Sequence, residues 1–233
     1  MPTFALDTST ASPSLALVRG EEPVAELWLA PEPGSGRRVL EAAHGLLTAA
    51  GASADDLRDI VVGVGPGGFT GLRIGLATAL GLGQALGVPV TGASSLEALA
   101  LGLAAAAPDA PLVAPVLDAR RRELFAAVYR PRGGGLDELA PPQAIAPGDL
   151  SALLERLGEP VAIGGDGVAA GGEALPGPLR TILPPGSAAH RVRAAALVRR
   201  VRDGAGLPAR PVYARLPDAE VNRRRAAAAA PEA

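Results

Sequence analysis

The sequence predicts an α/β protein built from two successive βββαβα units. Two observations carry this. The order of strand-like and helix-like segments begins again after Pro108, and each round opens with an apolar run closing on Leu-Asp, FALD at Asp7 and PVLD at Asp118. The composition agrees: 48% of the chain is hydrophobic but only 3% is aromatic, so the core is made of Leu, Val and Ala in closely packed layers. A length of 233 residues accommodates one large domain or two small ones.

In the first round, residues 3–7, 14–18 and 23–30 read as three strands. A Pro/Gly-rich link at 31–36 follows. Val39, Leu40, Ala43, Leu46 and Leu47 then fall at helical spacing within residues 37–50, a helix that Gly51 ends. The β-branched run at 60–64 is a buried strand. A glycine-rich helix spans 70–86 and a short strand 88–91. Ser94 with Glu97 forms a capping box that opens a helix running to residue 107.

The second round repeats the order. Strands are expected at 112–118 and 123–130, with a weak third at 143–146. A helix follows over 148–157, then a strand at 161–164, an irregular glycine-rich stretch and a strand at 180–183. A helix over 188–202 completes it. This duplicated order, with an aspartate ending the first strand of each copy, is that of the actin-like and sugar-kinase-like architecture (ASKHA, ribonuclease H-like). It divides the chain into halves at 1–107 and 108–222, with a low-complexity tail at 223–233 expected to be disordered.

The composition excludes much chemistry. There is no cysteine, so no thiolate nucleophile, disulfide or Cys-ligated zinc exists. All 22 basic residues are arginine, which removes Schiff-base chemistry and the P-loop lysine. His44 and His190 are the two histidines, and they do not have metal-ligand spacing. A net charge of −2 exerts no global pull towards nucleic acid. The start of the chain does not read as a secretory signal, and Arg73, Gln84 and Pro89 interrupt the most apolar stretch, so a cytoplasmic protein without a membrane span is expected.

The two aspartate hairpins are where this architecture holds nucleotide phosphates. In the first, Asp7-Thr8-Ser9-Thr10 keeps hydroxyls but lacks glycine, so Asp7 is either a phosphate-loop residue or a strand-end cap. In the second, Asp118 is followed by Ala119 and three arginines, and the strand-cap reading is favoured. Gly63, Gly65 and Gly68 match the dinucleotide fingerprint incompletely, because no acidic residue closes the next strand. On the following helix Gly71, Gly75, Ala79 and Gly83 recur every four residues as a ridge nearly free of side chains. The ridge serves either close packing on the protein's own sheet or docking of a partner helix. Arg73, near the positive end of that helix, is expected to need a carboxylate or an anion. The arginines after His190 read as a solvated face.

ALDTST at residues 5–10, the long motif VGPGGFTGLRIGLATALGLGQALGVPVTGASSLEALA at 64–100, and PVLDARRRELFAAVYR at 115–130 resemble the TsaB (YeaZ) family of tRNA threonylcarbamoyladenosine biosynthesis proteins. GDG at 165–167 and PVYARLPDAE at 211–220 are similar to its later signatures. The resemblance implies the same duplicated fold and a noncatalytic subunit for forming N6-threonylcarbamoyladenosine (t6A) at position 37 of ANN-decoding tRNAs. It implies a heterodimer with the catalytic paralogue TsaD, joined by the ATPase TsaE, and contact with tRNA through that complex. No intrinsic cofactor or metal is implied, and ATP or ADP would sit at the assembled interface. The family's pairing surface uses its first two helices, here matched by Arg37, Leu40, Glu41 and His44, and by Gly71, Leu72, Gly75, Ala79, Leu82 and Gly83. The same surface would allow a homodimer when the chain is alone. On this reading Gly75→Leu blocks association and spares the fold. Asp7, Thr8, Ser9 and Thr10 remain the nucleotide candidates, and a small-molecule kinase or ATPase is the alternative. The chain departs from the family at Ser35-Gly36, where His-Ser is common, and at Gly68, which replaces a serine.

Overall fold

A computed structural model describes residues 1–32, 34 and 38–215. The first sheet contains β1 (Thr3–Asp7), β2 (Ser14–Arg19), β3 (Glu22–Trp28), β4 (Asp59–Gly63) and β5 (Val90–Ala93), ordered β3-β2-β1-β4-β5. The second contains β6 (Leu112–Asp118), β7 (Leu124–Arg132), β8 (Gly135–Ile145), β9 (Val161–Gly164) and β10 (Arg180–Ile182), ordered β8-β7-β6-β9-β10. Each sheet has an antiparallel meander on one side and parallel strands on the other. The two sheets therefore share one topology, the duplication expected of an actin-like protein.

The alternation of strand side chains sorts the core into layers. Phe4, Leu6, Ile60 and Val62 face α1 (Val39–Ala49) and α2 (Phe69–Leu86). Ala5, Ala16 and Val61 on the opposite face join α3 (Ser95–Ala106) and α6 (Ala194–Arg200) in one cluster with Val113, Leu117 and Tyr129 of the second sheet. Leu112, Ala114 and Val116 turn the other way, onto Leu150 and Leu154 of α4 (Pro147–Leu157). A five-residue helix α5 (Gly167–Gly171) packs beside β6 and β9. The small residues of α3 (SLEALALGLAAA) suit a helix packed between the second sheet and α6, where thickness is limiting.

The central layer joins the halves. Arg200, buried to 7% exposure, donates from Nε to Glu97 Oε2 at 2.8 Å, linking α6 to α3. Trp28 Nε1 donates to the Val192 carbonyl at 3.2 Å, and Arg193 donates to Glu26 at 2.6 Å, holding the start of α6 on β3. These pairs correct the expectation of a wholly solvated arginine face. Glu97 also forms only half of the expected capping box: its N–H donates to Ser94 Oγ at 3.3 Å, while its carboxylate goes to Arg200.

Two boundaries differ from expectation. β8 is an eleven-residue strand rather than a short segment at 143–146. Its Asp137, Glu138, Pro141 and Pro142 disguise it, and an edge strand tolerates them because one side has no partner strand. The helix expected over 188–202 is a 3-10 turn at Ala188–His190, α6, and a π turn at Val201–Ala205. The expected tail at 223–233 and the Ser35-Gly36 departure lie outside the described residues.

Candidate functional site

The carboxyl ends of β1 and β4 in the first sheet and of β6 and β9 in the second border a cleft of about 620 Å³. This is where ligands sit in folds with parallel strands. Thr8, Ser9 and Thr10 line one wall with Gly67, Gly68 and the start of α2. Asp118, Arg120, Arg121 and Asp166 line the other, and Val212, Tyr213 and Arg215 cross its mouth.

Asp7 does not reach this cleft. It is 1% exposed and turned inward, accepting from Ser9 N–H at 2.9 Å, Ser9 Oγ at 2.5 Å and Ser95 Oγ at 2.5 Å. Burial pushes its carboxyl up from the usual range, against the opposing effect of these hydrogen bonds. The inward rotamer requires Gly63, since a Cβ there would strike the Asp7 carboxylate. Asp7 is therefore a lock between β1 and α3, which corrects its candidacy as a phosphate ligand. Two neighbouring hydroxyls are also committed: Thr8 Oγ1 donates to the Gly71 carbonyl at 2.8 Å, and Ser9 Oγ to Asp7. Thr10 Oγ1 donates to the Ser12 carbonyl at 3.2 Å.

The second hairpin is built differently. Asp118 Oδ1 accepts from the Arg120 N–H at 2.7 Å, and Asp118 Oδ2 lies 3.0 Å from Arg120 Nη1. Arg120, Arg121 and Arg122 all have left-handed backbones, with φ of 61°, 54° and 63°. Non-glycine residues rarely adopt this conformation, let alone three in succession. Asp166, in the glycine loop after β9, accepts the Asp118 N–H at 3.0 Å. Burial first, and the neighbouring Asp118 carboxylate after it, push its pKa up. His190 fixes that loop: its Nδ1 accepts the Gly165 N–H at 3.0 Å, and Nε2 lies 3.1 Å from the Leu183 carbonyl, so Nε2 carries the hydrogen. Among the described residues no group of three or more His, Asp or Glu is placed to hold a metal ion. No helix among them is long and apolar enough to cross a membrane.

The glycine ridge of α2 faces inward. A Cβ on Gly71 would collide with the Thr8 carbonyl oxygen, one on Gly75 with Thr8 Oγ1, and one on Gly83 with Val90. Leu72 and Ala79 are fully buried. The packing of the protein's own sheet thus absorbs these five residues, and they are not a surface for a partner. Leu82 is half-buried against the same core. Leu40, Glu41 and His44 are exposed on α1, while Arg37 lies outside the described residues. Gly68 would carry a Cβ in ordinary contact with the Ser9 carbonyl, so either glycine or serine fits there.

A strap of residues 207–215 escaped the sequence reading as part of the site. Leu207 and Gly92 exchange two backbone hydrogen bonds of 2.8 Å, and Val212 N–H donates to the Val64 carbonyl at 2.8 Å. Arg215 then reaches the other half, donating to the Ala119 carbonyl at 3.1 Å and pairing with Glu123. Tyr213 stacks on Phe69 with ring centroids 5.5 Å apart. Arg73 lies 3.8 Å over the Phe69 ring and donates to Tyr213 Oη at 3.4 Å, so an aromatic pair satisfies it instead of a carboxylate or anion. The signal was available: a chain with three Phe, two Tyr and one Trp spends Phe69, Phe125 and Tyr213 on this one cleft.

Two five-stranded sheets of one topology around a shared cleft define a protein of the duplicated actin-like class. Residues 35–167 match the family described as "TsaD: tRNA N6-adenosine threonylcarbamoyltransferase". The chain is 34% identical over 161 residues to the tRNA threonylcarbamoyladenosine biosynthesis protein TsaB of Bacillus subtilis, covering 69% of each. It is 35% identical over 136 residues to TsaB of Escherichia coli, covering 58% of each. The solved structure of YeaZ from Pseudomonas aeruginosa superposes with a TM-score of 0.74 at 26% identity, over 91% of this chain and 99% of that one. The chain belongs to the TsaB (YeaZ) family, whose place is in the biosynthesis of threonylcarbamoyladenosine on tRNA.

Proposed function

We propose that this chain is a noncatalytic subunit for t6A formation at position 37 of ANN-decoding tRNAs, docking onto a TsaD-type catalytic paralogue through the outer faces of α1 and α2. The TsaE-type ATPase would join that complex, tRNA would be met through it, and ATP or ADP would bind at the assembled interface rather than in this chain alone. The observation that supports docking is what the two helices leave open. Leu40 on α1 is 56% exposed and Leu80 on α2 is 47% exposed. Gly45 on α1 and Gly81 on α2 likewise face open space, where a Cβ would touch nothing. A glycine inside an exposed helix costs about 1 kcal/mol against alanine, a loss that close approach of another backbone offsets. The same face supports pairing with a second copy when the partner is absent.

The inward ridge moves the docking residues one face round α2, from Gly75 to Leu80 and Gly81. Copurification of a co-expressed TsaD paralogue tests this. Leu80→Asp and Leu40→Glu should abolish copurification while leaving thermal unfolding unchanged, and full retention of the partner by both variants would refute the docking face. Calorimetry of the isolated chain with ATP and magnesium addresses the kinase alternative, with no micromolar binding expected.

A further inference from the structure

We propose that the mouth of the cleft receives an unpaired RNA nucleotide, its base stacked on the Phe69–Tyr213 pair and its flanking phosphates on Arg120, Arg121 and Arg122. Phe69 and Tyr213 are 47% and 41% exposed, the two aromatic residues with the highest fractional exposure among the described residues. Both border the cleft. Arg73 braces Phe69 by its cation–π contact and Tyr213 through its hydroxyl, so the platform is held before anything binds. Across the mouth, the hairpin at 120–122 presents three exposed arginines in succession. Arg215, two residues beyond Tyr213, is bonded to the Ala119 carbonyl and thereby fixes the distance between platform and hairpin.

Charge favours the assignment. The cleft is lined by Arg120, Arg121 and Arg215 against Asp118 and Asp166, a net positive lining on a chain of net charge −2. Stacking platforms beside arginines are how proteins hold single-stranded nucleic acid, and duplex RNA hides the base faces that stacking needs. A free nucleoside triphosphate is served less well. The floor hydroxyls of Thr8 and Ser9 are spent inside the protein, and the arginine turn spreads its charge along a path instead of enclosing one phosphate cluster. The choice of RNA over a free nucleotide rests on the tRNA-modification reading; the stacking site itself does not.

The test is fluorescence anisotropy of the full chain with a short fluorescein-labelled single-stranded RNA of mixed sequence, the same RNA as a duplex, and ATP as competitor. The single strand should bind more tightly than the duplex, with an affinity that falls as salt rises. Tyr213→Ala and Phe69→Leu should each weaken it about ten-fold. Arg122→Glu, a fully surface change, should weaken it and flatten the salt dependence, while Tyr213→Phe should retain it. Equal binding of duplex and single strand, unchanged affinity in Phe69→Leu and Arg122→Glu, or binding of ATP without binding of RNA would each overturn the proposal. Leu80→Asp separates the two readings: it should lose the partner and keep the RNA. A wild-type chain that copurifies with its partner and binds no RNA would end this proposal and leave the docking face standing.

Discussion

Asp7 and Asp118 occupy the same place in two sheets of the same topology, and their surroundings give them opposite roles. Asp7 meets Gly63, which leaves room for the carboxylate to turn inward, and two serines that satisfy it there. Asp118 is followed by arginines and stays at the cleft, where it organises the backbone of Arg120. Topology brings a carboxylate to the end of each first strand, but the loop beside it decides whether that carboxylate turns inward as a lock or stays at the cleft to hold a turn. The first half has become a closed support, and the second keeps its charges at the mouth.

The largest expected effect breaks the closed side. Gly71→Val would drive a side chain into the Thr8 carbonyl, and Gly75→Leu into the Thr8 side chain, each destabilising by about 3 kcal/mol or more in chemical denaturation. Gly75→Leu thus disrupts the fold itself, contrary to the expectation that it spares it, and an unchanged unfolding midpoint would show that the ridge is not packed as described. Asp7→Ala leaves two serine hydroxyls and an N–H unsatisfied in a dry site, at a cost of about 3 kcal/mol. Asp118→Ala should cost about 1 kcal/mol, because its partners reach water. Comparable losses at the two aspartates would erase the distinction between the halves.

The pH dependence sharpens it. The folded protein holds a proton on Asp7 more tightly than the unfolded chain does, because burial raises its pKa. The stabilising contribution is therefore fully present below the unfolded carboxylate range and is lost as pH rises through the raised folded value. Asp7→Asn does not titrate. The stability of the wild type relative to this variant should fall as pH rises above the ordinary carboxylate range, about pH 4, read from a urea-unfolding series towards neutral pH. A flat or rising difference would show that Asp7 is charged in the folded state.

The smallest effect lies on the open side and should carry the opposite sign. Arg121→Gly relieves a left-handed arginine, worth about 1–2 kcal/mol, against the entropy glycine adds to the unfolded chain, about 0.5–1 kcal/mol. A net stabilisation between zero and about 1.5 kcal/mol is expected in thermal melts, together with weaker RNA binding. A destabilised variant would mean that the arginine turn is retained for its contacts and not at their expense.

Most of the architecture was legible from the chain. Continuous apolar runs marked β1, β2 and β6 because both faces of each strand lie against apolar layers, and the repeated Leu-Asp ends gave the duplication away. β8 was obscured because an edge strand answers to fewer constraints than a central one. The site was less legible. Helical spacing identified the ridge of Gly71, Gly75, Ala79 and Gly83 as one face, but spacing is blind to which side of the helix that face turns. Tyr213 and Arg215 join the cleft from more than ninety residues away in sequence, through the Val212 N–H on the Val64 carbonyl and the Arg215 side chain on the Ala119 carbonyl, contacts that no local pattern encodes.

By itself, the sequence determined the fold, the family and the chemistry that is missing, since these follow from periodicity, long contiguous motifs and the lack of lysine and cysteine. Only the tertiary structure decided that Asp7 is sealed, that the glycine ridge is spent inside the protein, and that an aromatic strap meets an arginine turn across the cleft. Those outcomes depend on which groups exclude water from one another, and that is settled when distant segments pack together.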